Sequence, residues 1–163
     1  MKKKILCLAL SVLVIFGLTF VGCAKREEGK KGKANVTISV GSAEAKVGDT
    51  VKLPVTIKGN PGIMAMLIDF KFDSECLQFV GFEKGKIFSD YETSDAEGVV
   101  RLMCVENEDV KGDGKIITLE FKVTSDKSKE TEVSVALEDN SLCNYDEELI
   151  PAKGKNGKVK IKK

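Results

Sequence analysis

The chain has 163 residues, 42% hydrophobic and 31% charged, with no histidine and no tryptophan. That is one ordinary domain and a tail, too apolar for a disordered chain, and without histidine it holds no Ser-His-Asp or Cys-His relay and no His-ligated metal. Of the 26 basic and 25 acidic residues, eight and two fall in the first 33, so residues 34–163 carry 18 and 23, a net of −5, which argues against nucleic acid as a partner.

Lys2, Lys3 and Lys4 precede an uncharged apolar run over 5–22. A basic stretch before such a run reads as a secretory signal, although about 18 apolar residues also suffice to cross a bilayer. The next feature, Phe20-Val21-Gly22-Cys23, resembles the bacterial lipoprotein box, with Gly22 just before the cysteine and Phe20 where Leu is usual. The resemblance implies that 1–22 is a cleaved signal peptide and that Cys23 is diacylated on sulfur. The alternative is an uncleaved signal anchor. Both readings export the body, and the first anchors it by lipid to the outer face of the cytoplasmic membrane, at the cell surface. Residues 24–33 hold seven charged residues and two glycines without apolar periodicity, so 23–33 is expected to be a flexible tether. Its five basic residues also suit anionic headgroups.

From residue 34 onward the dominant period is two. Val36, Ile38 and Val40 open the pattern, and Val51, Leu53, Val55 and Ile57 continue it. Pro54 removes one donor on the outward phase of that strand, which predicts an edge position or a bulge. Ile117, Leu119, Phe121 and Val123, then Val133, Val135 and Leu137, then Val159 and Ile161 repeat the alternation. Gly48-Asp49, Gly59-Asn60-Pro61-Gly62, Gly112-Asp113-Gly114 and Asn156-Gly157 supply the turns. No window holds a helical period. Residues 34–163 are therefore expected to form an all-β, two-sheet sandwich of eight or nine strands, as a sandwich or jelly roll. Cys76, Cys104 and Cys143 form no C-x-x-C pair, so no metal site is expected from them. They read as small packed hydrophobes, with one disulfide plus a free thiol, or an anaerobic host, left open by their odd number.

Two strands break the one-wet-face rule. Over 63–72 the even positions Met64, Met66, Ile68, Phe70 and Phe72 form the core phase, yet the opposite phase reads Ala65, Leu67, Asp69, Lys71. Over 99–105 the core phase is Val100, Leu102 and Cys104, and the outward phase is Arg101, Met103 and Val105. If the two strands are neighbours, Ala65, Leu67, Met103 and Val105 make a flat apolar patch rimmed by Asp69, Arg101 and Glu106, the pattern of a protein interface. The alternative is that the loop over 83–98, with Phe88 and Tyr91, covers these side chains.

The segment from Gly62 through Phe70, Phe72-Asp73, Leu77 and Gly81 resembles the third and fourth strands of a cohesin module. The likeness continues through 101–125, and Val47-Gly48-Asp49-Thr50-Val51-Lys52-Leu53-Pro54-Val55 resembles the family's opening. It implies a nine-stranded jelly-roll sandwich over most of the body. It also implies that the flat face carrying the strands over 63–72 and 99–105 receives the helices of a calcium-loaded dockerin, the module that joins secreted enzymes to cellulosome scaffolds. Calcium would then belong to the partner; this chain needs no cofactor, and its 106–115 stretch lacks the carboxylate spacing of an EF-hand loop. Many cohesins place Asn and Asp where this chain has Ala65 and Leu67, which implies a more hydrophobic interface with its own specificity. Glu106 matches a glutamate that contacts dockerins in the family.

The sequence thus leads to a non-catalytic, membrane-tethered module docking a dockerin-bearing secreted protein, such as a polysaccharide-degrading enzyme or a scaffold subunit. A carbohydrate-binding module on a similar sandwich is the second reading, with Tyr91 and Tyr145 as the stacking candidates, and a structural or adhesive surface lipoprotein is the third. The acid groups Glu106, Glu108 and Asp109, and Asp146, Glu147 and Glu148, suit glycoside hydrolysis by residue type alone; nothing in the sequence places them in a cleft.

Overall fold

The computed structural model describes residues 36–163; the signal over 1–22, Cys23 and the tether over 23–33 lie outside the described residues. Twelve strands form: β1 (Val36–Val40), β2 (Ala43–Lys46), β3 (Thr50–Lys58), β4 (Ile63–Phe72), β5 (Leu77–Lys84) and β6 (Glu92–Ala96), then β7 (Val99–Val110), β8 (Gly114–Val123), β9 (Glu130–Ala136), β10 (Leu142–Cys143), β11 (Ala152–Lys155) and β12 (Gly157–Lys162). They build two sheets, of order β11-β1-β3-β8-β5 and β2-β12-β9-β4-β7-β6. β10 pairs with the first half of β4 and β9 with the second.

The sandwich is the expected one, and its strand count is twelve rather than nine for a local reason. The first and last strands each break in two and change sheets, β1 into β2 and β11 into β12, while β1 pairs with β11 and β2 with β12 in parallel. Glycine permits this corner. A Cβ on Gly157 would stand 2.1 Å from the Gly41 carbonyl oxygen, and one on Gly41 would stand 2.7 Å from Pro54 Cδ. The third extra strand is the two-residue β10.

Pro54 lies in a central strand, not at an edge, and the β3–β8 register slips beside it, between Val55 and Thr56. Its carbonyl accepts from Gly41 N at 2.8 Å. In a strand the N–H and C=O of one residue face the same neighbour, so the missing donor falls where β1 leaves the sheet, and β8 loses no bond.

The alternation builds the core. Val51, Leu53 and Val55 lie beside Phe121, Leu119 and Ile117 on one sheet, and Met66, Ile68, Phe70, Val100, Leu102 and Cys104 line the other; all of these are 5% exposed or less. Phe121 joins the layers through its ring, whose centroid is 5.0 Å from that of Phe72 on the opposite sheet; on its own sheet it meets the ring of Phe79 at 5.7 Å. One position departs from the expected phase. A register shift between Ile63 and Ala65 turns Ile63 inward, fully buried, and leaves Met64 half-buried, because a bulge inserts one residue and flips everything before it.

Candidate protein-binding face

β4 and β7 are antiparallel neighbours, and their register sets Ala65 opposite Val105, Leu67 opposite Met103 and Asp69 opposite Arg101. Directly opposed residues share a face with Cβ atoms about 5 Å apart, so these six side chains form three adjacent rows on the outer surface. Leu67, Met103 and Val105 are 43%, 39% and 49% exposed. The loop over 83–98 does not cover them. Phe88 and Tyr91 point into the core at 4% and 7% exposure, and the loop extends the edge of the five-stranded sheet through Gly85 N and Lys86 N, which donate to Ile116 and Lys115. Tyr91 is therefore no stacking surface for a sugar, which corrects that expectation; Tyr145 is exposed.

The polar end of the patch is tightly built. Arg101 Nε and Nη2 donate to the two carboxylate oxygens of Asp69 at 2.7 and 2.8 Å, a bidentate fork that fixes both side chains. Hydrogen bonding to Arg101 holds the Asp69 carboxyl below its ordinary value of 3.8.

Glu106 sits differently from the other six. It falls on the opposite phase of β7 from Val105, half-buried, and its carboxylate accepts from Ser89 N, Ser89 Oγ (2.7 Å) and Asp90 N (3.2 Å). Burial pushes this carboxyl up, but the three hydrogen bonds outweigh burial and hold it below 4.5. Glu106 thus ties the 85–91 connection between β5 and β6 to β7. Both depressed carboxyls stabilise the fold above their unfolded pKa values and lose that contribution as pH falls through the lower folded ones. Comparing Asp69→Asn and Glu106→Gln with the parent by urea midpoint should show a deficit at about pH 7 that shrinks steadily as pH falls below the ordinary carboxylate range; a deficit unchanged at the acid end would refute the assignment.

The patch also extends beyond the expected residues. Cys143 of β10 pairs with Ala65, and Leu149 bridges to Cys143, so the top row reads Leu149, Cys143, Ala65, Val105. Leu149 is 58% exposed and Tyr145, whose N–H donates to Asp109 at 2.7 Å, is 62% exposed. No sequence signal marks a two-residue strand between turns, so periodicity misses Cys143 and Leu149. On the far side, Glu92 of β6 lies opposite Met103 and Ser94 opposite Arg101.

The three cysteines of the sandwich are all free. Burial pushes the Cys104 thiol up to about 12 and raises that of Cys76, while Cys143 is half-buried at the patch. N-ethylmaleimide applied to the folded sandwich should modify Cys143 at least about tenfold faster than Cys76 or Cys104, read by peptide mass spectrometry. Equal rates would mean the top row is not accessible.

Among the described residues no three His, Cys, Asp or Glu side chains converge on a metal-sized site. Three of the acid groups considered for hydrolysis hold local structure: Glu106 bonds the 89–90 backbone, Asp109 accepts from Tyr145 N, and Glu148 accepts from Asn144 Nδ2 at 2.9 Å.

The family model described as Cohesin domain matches residues 36–161, the whole sandwich. The chain belongs to the cohesin family. Cohesin domains are non-catalytic binding modules. Cellulose-binding protein A of Clostridium cellulovorans is 28% identical to this cohesin over 96 residues, 54% of this chain and only 5% of that protein. Among solved structures, a non-cellulosomal cohesin from the archaeon Archaeoglobus fulgidus superposes with a TM-score of 0.71 at 19% identity, over 80% of this chain and 93% of that one. A type I cohesin–dockerin complex from Clostridium thermocellum gives 0.68 at 22% identity, over 80% and 97%. At such identities the likeness is one of fold, which the two-sheet order above already describes.

Proposed function

We propose that this cohesin is a non-catalytic module, tethered outside the cytoplasmic membrane through a lipid on Cys23, that docks a dockerin-bearing secreted protein on the face built by β4 and β7. The observation that carries the reading is the uncovered apolar rows Ala65–Val105 and Leu67–Met103 beside the locked Asp69–Arg101 pair, on a cohesin sandwich. Three large apolar side chains, Leu67, Met103 and Val105, cost free energy in water and gain it on burial, and the Asp69–Arg101 fork offers fixed polar groups to set register. Solved relatives of this fold have been determined with dockerins bound.

The partner's helices would lie across the rows, with Glu106 acting behind the face by holding the 89–90 loop. Calcium belongs to the dockerin in this scheme, and the patch, apolar where polar recognition would need Asn or Asp, selects a partner with a matching apolar surface. Capture of secreted proteins on residues 34–163, with and without chelator, tests the reading. A dockerin-bearing protein held with calcium and released by chelator supports it; no calcium-dependent capture leaves the fold without that partner.

A further inference from the structure

The two sheets carry opposite charge. The five strands of the β11-β1-β3-β8-β5 sheet contain seven lysines against two glutamates, Glu83 and Glu120. The strands of the other sheet contain six basic against nine acidic residues. This happens in a body whose net charge is −5, so the excess of lysine on one sheet is not a property of the composition.

The two glutamates do not neutralise that sheet, because both engage the same lysine: Glu83 and Glu120 each bond Lys52 Nζ, the latter at 3.0 Å. Lys58, Lys153 and Lys155 have no ion pair among the described residues, and all three are exposed. Register places them together. Thr37 of β1 lies between Lys58 and Lys153, and Ser39 lies opposite Lys155. These lysines frame the strand through which the chain enters the sandwich, and the sequence just before it, residues 25–33, adds five more basic side chains.

We infer that the outer face of the five-stranded sheet, through Lys58, Lys153 and Lys155, rests on the anionic headgroups of a phospholipid bilayer and so turns the β4–β7 face away from the membrane. The inference rests on the proposed membrane attachment of the N-terminal segment. That attachment supplies the reason for a bilayer rather than a distant polyanion: only twelve residues separate Cys23 from Val36, at most roughly 45 Å of chain, so a lipid on Cys23 keeps the sandwich within reach of the surface, where surface potential attracts a lysine face that comes within a Debye length. The patch, on the opposite sheet, is left free for a partner.

The test is the full chain reconstituted into phosphatidylcholine vesicles with or without phosphatidylglycerol, with amine acetylation of each lysine followed by mass spectrometry. Phosphatidylglycerol should slow Lys58, Lys153 and Lys155 at least about threefold, leave Lys71 on the opposite sheet unchanged, and lose its effect at about 0.5 M salt. Lys115, opposite Thr56 beside Lys58, should be slowed with them in the parent and lose that protection in the triple variant Lys58→Glu, Lys153→Glu, Lys155→Glu, all at exposed positions. Equal labelling of both faces, or protection by soluble polyphosphate but not by the anionic vesicles, overturns the inference. The N-terminal peptide from cells reports separately whether Cys23 carries lipid, so a failed anchor and a failed orientation give different results.

Discussion

A Leu67→Asp chain is expected to lose capture of its dockerin-bearing partner by about 30-fold or more, the loss typical of a central interface residue. Leu67 is the middle of the face: it stands between the Ala65–Val105 and Asp69–Arg101 rows, opposite Met103. An aspartate there puts a charge where the partner must be dry, close to the carboxylate of Asp69, and the desolvation cost falls on the complex alone. Leu67 is 43% exposed and points away from the core, so the fold should keep its stability within about 0.5 kcal/mol. Val80→Asp makes the control. Val80 is 49% exposed, on the edge strand of the other sheet, and its replacement should bind like the parent. Retained capture by Leu67→Asp in a calorimetric titration would move the site off β4 and β7.

Replacing Phe121 with alanine is expected to cost about 3–5 kcal/mol of folding stability. Phe121 is fully buried and its ring meets Phe72 of the opposite sheet and Phe79 of the neighbouring strand, so truncation opens a void that both layers line. Since domains of this kind hold only about 5–15 kcal/mol in all, the variant should unfold at a much lower urea concentration with an unchanged m-value. The folded fraction should still bind the partner, because no atom of Phe121 reaches the outer face. A loss below about 1 kcal/mol would mean that the sheets close over the gap more easily than close packing allows.

How far the site could be read beforehand differs from residue to residue. Leu67 and Met103 were legible because an apolar residue on the wet phase of a strand is a local anomaly, visible in two short segments. The Asp69–Arg101 fork was legible only as two charges on the rim; that they lie opposite each other depends on the β4–β7 register. Tyr91 and Tyr145 look alike in sequence, two tyrosines outside the strands, yet one is buried and the other exposed, since that is decided by where the 85–91 loop inserts. Met64 was placed inside by period two and half-exposed by one bulge. Glu106 carries a carboxylate suited to a rim, and the fold turns it to the loop behind.

The sequence by itself determined the all-β class, the sandwich core and the two strands whose outer faces are too apolar for water. Each of those follows from which residues of a strand avoid solvent, a property that repeats every second residue and needs no knowledge of neighbours. Only the tertiary structure decided the company those residues keep: Cys143 and Leu149 beside Ala65, Glu106 beneath Ser89, three lysines gathered along Thr37 and Ser39. Strand order and register bring together positions tens of residues apart, and those depend on the packing free energy of the whole sandwich rather than on any local run of side chains.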